Sequence, residues 1–254
     1  MTPDPHLLNA IRFLTVVPTP RSDETPAPDW LARAMKYFPL VGAGIGLASA
    51  LMFIVAGQFW SPLIAAIIAV TTSIALTSAL HEDGLADTAD AFGGGWTVER
   101  RLAIMKDSRI GTYGALALGV GCALRVAALA SLPIWAGAAA LIAMHAAARA
   151  MPALVMNRLA YAGDTSAMKV SYAEAPVRSG EITFLLITAL LAAVPLALIT
   201  FKSVIVGLLL GALFGALLAR CAKRLIGGYT GDVLGAIEQL FEIGFLLGVA
   251  AVLR

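Results

Sequence analysis

Long apolar stretches separated by polar segments dominate the pattern of this chain. Seven stretches are nearly free of charged residues, and each approaches the roughly 20 apolar residues that a helix needs to cross a bilayer. They cover residues 38–57, 62–80, 112–132, 133–150, 182–200, 204–219 and 233–253. The pattern predicts an all-α polytopic membrane protein with about seven transmembrane helices, forming a single integral-membrane domain over residues 1–254.

The composition agrees with this prediction, because 59% of the residues are hydrophobic and only 13% are charged. Soluble proteins carry about 25% charged residues, so a water-facing surface cannot be built from this chain. Within residues 1–37, the apolar stretch 7–17 is too short to span, and we expect an interfacial N-terminal segment. The net charge of +2 gives no indication of a nucleic-acid partner, and we expect none.

The distribution of basic residues predicts the orientation. If the N-terminus is cytoplasmic, the longer polar segments become cytoplasmic loops, namely 81–111, 151–181 and 220–232. Fifteen of the 18 basic residues then lie on the cytoplasmic side, Lys202 and Arg254 lie outside, and Arg125 lies within a span. This split obeys the positive-inside rule. None of the 16 acidic residues falls in an outer link, which indicates a cytoplasmic working face, although the shortness of those links is an alternative explanation.

An acidic cluster follows the second apolar stretch. On a helix with about 100° per residue, Asp83, Asp87 and Asp90 fall within one arc of about 60°. Three carboxylates on one face repel one another, so a hard divalent cation with oxygen ligands, most simply Mg²⁺, is their natural partner. Gly84 leaves space for another segment to approach, whereas His81 points away from the arc. The alternative interpretation is a solvated acidic helix end.

A second polar segment carries cations next to a carboxylate. Thr97 can cap a short helix, and the end of that helix offers Lys106 and Arg109 on either side of Asp107. Such cations neutralise phosphate groups, and the carboxylate is a further candidate metal ligand. Lipid headgroups are the alternative partners of the cations. Arg149, at the end of the fourth apolar stretch, could reach the same site or extend to water at the membrane surface.

A third polar segment precedes the last apolar stretch. Glycines flank Thr230 and Asp232 at the predicted start of a helix, where free backbone N–H groups can bind an anion. Glu238 and Glu242 follow one turn apart inside the membrane, where ionisable side chains are rare and often functional. Arg125 could neutralise one of them or extend outward, and the sequence leaves both open.

Five motifs connect these segments to a known family. They are Arg12-Phe13-Leu14-Thr15-x-x-Pro18-x-Pro20, Phe38-Pro39-Leu40-Val41-Gly42, His81-x-Asp83-Gly84-Leu85-Ala86-Asp87-Thr88-x-Asp90, Met105-Lys106-Asp107-Ser108-Arg109-x-Gly111-Thr112-x-Gly114 and Gly228-x-Thr230-Gly231-Asp232. In order and spacing they resemble the cobalamin synthase family, also named adenosylcobinamide-GDP ribazoletransferase. The resemblance covers essentially the whole chain. One departure is Glu82, where an apolar residue is expected.

The resemblance implies a multi-pass enzyme of the bacterial inner membrane, acting in the last steps of vitamin B12 assembly with its active site facing the cytoplasm. It would transfer the adenosylcobinamide-phosphate group from adenosylcobinamide-GDP to α-ribazole or its 5′-phosphate, with Mg²⁺ as cofactor. The products would be GMP and adenosylcobalamin or its 5′-phosphate. The two small-molecule substrates and the lipid bilayer are the expected partners, and a homo-oligomer is compatible with the sequence.

The roles of the motif residues follow from the needs of phosphoryl transfer, in which the protein mainly positions groups and neutralises charge. The expected metal ligands are Asp83, Asp87, Asp90 and Asp232. Lys106 and Arg109 would stabilise the departing phosphate of GMP. Either Asp107 or His81 would accept the proton of the ribose hydroxyl. The expected substrate-binding residues are Ser108, Arg149 and Thr230.

Two other classes of membrane protein are alternatives. CDP-alcohol phosphotransferases carry an Asp-Gly motif that binds Mg²⁺, but that motif continues Ala-Arg, whereas Ala86 is followed here by Asp87. A cation transporter would also use intramembrane carboxylates such as Glu238 and Glu242. A transporter would not need the cations beside the aspartates.

Overall fold

The computed structural model describes residues 4–20, 27–163 and 176–253. These residues form helices joined by short connections, and no β-strand occurs within these ranges. The helices are α1 (Pro5–Leu14), α2 (Trp30–Ala34), α3 (Phe38–Ala56), α4 (Pro62–Leu76), α5 (Leu80–Gly94), α6 (Val98–Met105), α7 (Thr112–Ala130), α8 (Ile134–Ala148), α9 (Met151–Met156), α10 (Ser179–Ala192), α11 (Val194–Ile199), α12 (Phe201–Ile226) and α13 (Gly231–Val252). The predicted all-α class is confirmed.

Some sequence predictions concern residues outside the described ranges. They include parts of the segments 1–37 and 151–181 and three of the counted basic residues, Arg21, Lys169 and Arg254.

Five helical segments in the described part of the chain are long and apolar enough to cross a membrane. They are Trp30–Ala56, Thr112–Ala130, Ile134–Met156, Phe201–Ile226 and Gly231–Val252. α4 and α5 give a sixth if they are counted as one bent span. The chain is thus a polytopic helical membrane protein, whereas seven spans and cytoplasmic loops stay predictions.

The second predicted span ends in a sharp bend. The axes of α4 and α5 differ by 89°, and between them Ser78 and Ala79 take φ values of 52° and 56°. This left-handed region is rarely adopted by residues with side chains. A straight continuation of α4 would extend an apolar helix into a strongly charged one, which is costly in a bilayer. The bend instead directs the charges of α5 into the protein, so the segment 81–111 is largely helical rather than a loop.

The predicted span 182–200 forms two helices, α10 and α11. α10 has 14 residues, fewer than the roughly 20 that cross a bilayer. Pro195 lies in the first turn of α11, where its missing N–H is tolerated, although it would break the interior of a longer helix. The proline therefore accounts for the interruption.

α8 and α13 lie at the centre of the protein, and most of their residues are buried. Glycines allow the closest helix pairs. A Cβ at Gly46 of α3 would lie 2.6 Å from the Leu141 carbonyl oxygen of α8, and a Cβ at Gly244 of α13 would lie 2.7 Å from the Leu210 carbonyl oxygen of α12. Small residues let membrane helices approach in this way. α13 is consequently enclosed by α5, α7, α8, α9 and α12.

The connection before α13 is short and is held in place by backbone hydrogen bonds. α12 continues to Ile226 and ends at Gly227, whose φ of 83° suits a glycine helix cap. The predicted loop 220–232 is therefore partly helical. The Tyr229 N–H donates to the Ala160 carbonyl at 3.0 Å, and the Ala162 N–H donates to the Tyr229 carbonyl at 2.8 Å. These bonds fix the start of α13.

The N-terminal segment packs beside the bend between α4 and α5. The Val16 N–H donates to the Leu76 carbonyl at 2.9 Å, and the Phe13 ring stacks on Phe38 with centroids 5.7 Å apart. The segment predicted as interfacial thus forms a wall next to the start of α5.

Candidate active site

The aspartates of α5 differ in exposure but lie around one region. Asp83 is exposed, Asp87 is half-buried and Asp90 is buried. Asp87 lies within electrostatic range of the other two and of Asp232 at the start of α13. The structure therefore brings together the four aspartates predicted as metal ligands, and we call them the acidic face.

Gly84 permits the approach of α5 to α13. A Cβ at this position would lie 2.7 Å from the Asp232 carbonyl oxygen and 3.1 Å from the Asp232 Cα. Any side chain here would push Asp232 away from the aspartates of α5. The sequence prediction that Gly84 leaves space for another segment is confirmed.

Asp90 also has a structural role that the helical arc does not predict. Its carboxylate oxygens accept hydrogen bonds from the backbone N–H groups of Gly111 at 2.7 Å and Gly114 at 2.9 Å. These groups lie at the N-terminus of α7, where unpaired N–H donors and the helix dipole favour an anion. Asp90 therefore anchors α7 to α5, and its role as a metal ligand stays a prediction.

The acidic face is open rather than a closed metal cage. Within the described ranges, no three His, Cys, Asp or Glu side chains are placed to hold one metal ion. Mg²⁺ usually keeps several waters and binds through one or two carboxylates together with substrate phosphates. Carboxylate oxygens in an open arrangement fit this manner of binding.

The predicted cations lie on an exposed connection between α6 and α7. Thr97 caps α6 as predicted, since its hydroxyl accepts the Arg100 N–H at 3.2 Å. Lys106 and Ser108 are exposed at the other end of α6. The Arg109 side chain is 86% exposed. We call residues 106–109 the cation loop.

Arg109 and Asp107 pair with each other within this loop. Nη2 of Arg109 donates to Oδ2 of Asp107 at 2.7 Å, and Nε donates to Oδ1 at 3.0 Å. The side-chain hydrogen bonds from Arg109 lower the pKa of the Asp107 carboxyl to about 2. Asp107 is consequently ionised at neutral pH, and in this arrangement it is a weak proton acceptor.

Thr230 caps the start of α13, and anion binding by the backbone N–H groups there stays a prediction. Its hydroxyl accepts the Val233 N–H at 3.3 Å and lies 3.5 Å from Oδ2 of Asp232. The residue is 6% exposed. Thr230 thus positions Asp232, and its role as a substrate-binding residue stays a prediction.

Beneath the acidic face lies a buried network of ionisable side chains. Its members, each 6% exposed or less, are His81, Glu82, Arg125, His145, Arg149, Glu238 and Glu242. Arg125 joins two carboxylates, since Nη1 donates to Glu242 at 2.9 Å and Nη2 donates to Glu82 at 3.0 Å. Arg149 donates to the other Glu242 oxygen at 3.1 Å. The network ties α5, α7, α8 and α13 together.

The buried network shows where the side chains of Arg125, Arg149 and His81 lie. Arg125 neutralises Glu242 and does not extend to the membrane surface. Arg149 is buried beside His145, with Nη1 3.1 Å from Nδ1, so the structure places this predicted substrate-binding residue inside the protein. Nε2 of His81 lies 3.0 Å from Oε2 of Glu238, which places His81 away from the exposed cation loop.

Sequence reasoning missed how these side chains pair. Glu82 looked like a departure from the family pattern, yet it is the partner of Arg125. Helical spacing of four residues between His145 and Arg149, and between Glu238 and Glu242, was the available indication. It shows which side chains share a face, whereas the pairing of helices depends on the tertiary packing.

A cavity of about 120 Å³ lies at the Asp83 end of α5. One wall is apolar and includes Phe13, Met35, Phe38 and Pro152. The polar residues of the lining are His81, Asp83, Asp232 and Glu238. The cavity thus connects the acidic face with the buried network.

Comparisons with known proteins cover nearly the whole chain. Residues 6–250 match the sequence model of a family described as cobalamin-5-phosphate synthase. Three similar proteins are each named adenosylcobinamide-GDP ribazoletransferase. The protein from Azorhizobium caulinodans is 46% identical over 249 residues, which are 94% of this chain and 93% of the relative. That from Bradyrhizobium diazoefficiens is 46% identical over 95% of this chain and 92% of the relative. The protein from Shewanella piezotolerans is 42% identical over 93% of this chain and 91% of the relative. No solved structure matches the chain.

Proposed function

The chain belongs to the cobalamin-5-phosphate synthase family, and on this basis we propose that it transfers the adenosylcobinamide-phosphate group of adenosylcobinamide-GDP to α-ribazole or its 5′-phosphate. A hydroxyl oxygen of the acceptor bonds to the phosphorus that carries the cobinamide. The bond from that phosphorus to the GMP oxygen breaks, and GMP leaves. The chain is therefore a transferase of cobalamin biosynthesis.

One arrangement supports this proposal above all: the acidic face lies next to the cation loop. Asp90 joins them, because it belongs to α5 and binds the N–H groups of Gly111 and Gly114, just after Arg109. Phosphoryl transfer needs carboxylates for a metal and cations for the phosphates. Of the intramembrane carboxylates that suggested a transporter, Glu242 is bound by Arg125 and Arg149, and Glu238 lies 3.0 Å from Nε2 of His81.

We propose Mg²⁺ as the cofactor, bound through one or two carboxylates from among Asp83, Asp87 and Asp232 together with phosphate oxygens of the substrate. Asp90 is the fourth predicted ligand, although its oxygens already accept two backbone N–H groups. The donor atoms of the protein fit the ion because all of them are carboxylate oxygens. When bound, Mg²⁺ would neutralise charge on the diphosphate and on the leaving oxygen.

The cation loop would act on the donor. Lys106 and Arg109 would meet the negative charge that develops on the departing GMP phosphate, with exposed Ser108 beside them. The proton of the acceptor hydroxyl would pass to Asp107 or to His81. Because Asp107 is held by Arg109, it can act as a base only after that pair opens.

The test of this function is GMP production by the purified protein. Incubation with adenosylcobinamide-GDP and α-ribazole should release GMP only when both substrates and Mg²⁺ are present, and EDTA should stop the release. The same protein supplied with a CDP-linked donor should form no CMP. Release of CMP, or the absence of GMP from intact protein, would exclude the proposed reaction.

We propose that the acidic face and the cation loop lie on the cytoplasmic side of the bacterial inner membrane, because fifteen basic residues fall on one side of the predicted topology. Reporter enzymes fused after Gly95 and after Gly163 should both show cytoplasmic activity. A periplasmic result at either position would contradict a cytoplasmic active site.

Arg109→Lys should lower turnover at saturating substrate by at least about tenfold. The planar guanidinium can bind a phosphate through two parallel hydrogen bonds, which a lysine ammonium cannot reproduce. A loss confined to the transition state lowers kcat rather than raising KM. The measurement is kcat and KM for adenosylcobinamide-GDP, with the Mg²⁺ concentration for half-maximal activity measured alongside.

The matched control is Arg100→Lys, on the exposed first turn of α6, which should retain normal turnover. If Arg109→Lys also keeps full turnover, or fails only because more Mg²⁺ is needed, the role at the leaving group belongs to Lys106.

A further inference from the structure

The acidic stripe of α5, formed by Asp83, Asp87 and Asp90, has two different ends. At one end, Asp90 binds the start of α7, which follows the cation loop. At the other end, Asp83 lines the cavity beside the N-terminal segment. Seven residues separate the ends, which is roughly 10 Å along a helix. The stripe therefore runs from the cations to the cavity.

The walls of the cavity suit a molecule with one apolar side and one polar side. Phe13 and Phe38, whose ring planes are inclined by 16°, give part of the lining an apolar surface that the carbon skeleton of a sugar can contact. The carboxylates elsewhere in the lining accept hydrogen bonds from hydroxyl groups. A nucleoside combines these two surfaces.

Glu238 provides a second indication of a ligand. It lines the cavity and is 3% exposed. Its Oε2 lies 3.0 Å from Nε2 of His81, yet the atoms are not aligned as a hydrogen bond, and this oxygen has no hydrogen-bond partner. Buried carboxylate oxygens are nearly always hydrogen-bonded. Nε of Arg149 lies 3.9 Å from the same oxygen and does not bind it either. A hydroxyl that enters the cavity would supply the missing donor once the Glu238 carboxylate turns toward it.

The volume limits what can enter. Sites that enclose a drug-sized ligand usually measure about 300–1,000 Å³, whereas this cavity measures about 120 Å³. It can hold the reacting end of a small nucleoside, but neither a corrinoid nor a nucleoside diphosphate. The larger donor would lie over the open acidic face.

We propose that this cavity is the acceptor site and receives the ribose end of α-ribazole between the Phe13–Phe38 wall and Glu238. The proposal rests on the proposed transfer reaction. In that reaction the attacking and leaving oxygens lie roughly in line on opposite sides of the phosphorus. With GMP departing toward the cation loop, the acceptor must approach from the other end of the stripe, where the cavity lies.

The test is Leu80→Trp in the full-length protein. Leu80 lines the cavity and is 40% exposed, so a larger side chain can narrow the cavity without entering the packed core. The matched control is Leu40→Trp, because Leu40 is 43% exposed and lines a separate apolar groove. Binding of α-ribazole is measured by equilibrium dialysis, and KM is measured for both substrates.

Leu80→Trp should weaken α-ribazole binding and raise its KM at least tenfold, with KM for adenosylcobinamide-GDP within twofold of normal. Leu40→Trp should change neither. Phe13→Ala removes one aromatic ring of the cavity from a half-buried position. This variant should also weaken the binding of α-ribazole without affecting the donor, and it replaces Leu80→Trp as the test if that variant does not fold.

The inference and the proposed function fail in different ways. If the wild-type protein releases no GMP, the transfer reaction itself is wrong. The other outcome is that the wild-type protein is active while both cavity variants bind α-ribazole normally, or while their KM for adenosylcobinamide-GDP rises as much as their KM for α-ribazole. In either case the acceptor binds elsewhere, and only the cavity assignment is overturned.

Discussion

Asp87→Asn should lower turnover by at least about a hundredfold, which corresponds to roughly 3 kcal/mol of lost transition-state stabilisation. Asparagine keeps the size of the side chain and removes the charge that a metal ion requires. We expect the largest loss at Asp87, because this residue lies within electrostatic range of Asp83, Asp90 and Asp232 in the acidic face. The measurement is kcat over a range of Mg²⁺ concentrations, together with the amount of folded protein in the membrane.

Two controls make the result specific. Asp29→Asn is the same chemical change at a partly exposed aspartate whose buried partner, Arg33, keeps a second carboxylate in Glu181, and it should leave turnover near normal. Asp87→Asn should also retain normal insertion, since removing one of four neighbouring carboxylates relieves repulsion. Near-normal turnover of Asp87→Asn at ordinary Mg²⁺ concentrations would remove the central ligand from the metal proposal.

Arg125→Met should lower the free energy of unfolding by about 3–5 kcal/mol, the usual cost of removing one partner from a buried ion pair. Methionine retains much of the side-chain volume, so the loss arises from charge. Arg125 is the hydrogen-bond partner of both Glu82 and Glu242, and all three side chains are buried. The measurement is denaturant-induced unfolding of the purified protein in detergent micelles.

Removing the abandoned carboxylate should restore part of this loss. Arg125→Met leaves Glu82 without its partner, whereas Glu242 keeps Arg149 at 3.1 Å. The double variant Arg125→Met with Glu82→Leu removes the uncompensated charge, and it should be more stable than Arg125→Met alone. Arg109→Met, at a position whose side chain is 86% exposed, should leave the free energy of unfolding near normal. Equal stability of Arg125→Met and the wild-type protein would mean that the network does not hold the helices together.

The apolar stretches predicted the helical class and the approximate positions of the helices, because hydrophobicity decides which segments can lie in a bilayer. They did not predict the bend before α5. Neither Ser78 nor Ala79 favours a left-handed conformation, yet both adopt one, and we attribute it to the tertiary packing of α5. Local sequence carries little information about such a tertiary effect.

The candidate site was predictable to a similar extent. Motif spacing found the aspartates and the cation loop, and helical geometry placed Asp83, Asp87 and Asp90 on one face. It could not show that Asp90 binds the start of α7 or that Arg149 lies inside the protein, because both depend on which helices pack together. The pairing of Arg125 with Glu82 joins positions 43 residues apart, and one sequence contains no record of such a contact.

The buried network also imposes an order on biogenesis. Glu82 is translated 160 residues before Glu242, which is roughly 8–32 s at the usual rate of 5–20 residues per second. During that interval Arg125 can already pair with Glu82, whereas both arginines still lack Glu242. The growing chain therefore inserts α7 with one of the two carboxylate partners of Arg125 in place, whereas Arg149 at the end of α8 still lacks Glu242. Their final positions can be secured only after the last helix, α13, has left the ribosome, so the C-terminal residues complete the site that begins at His81.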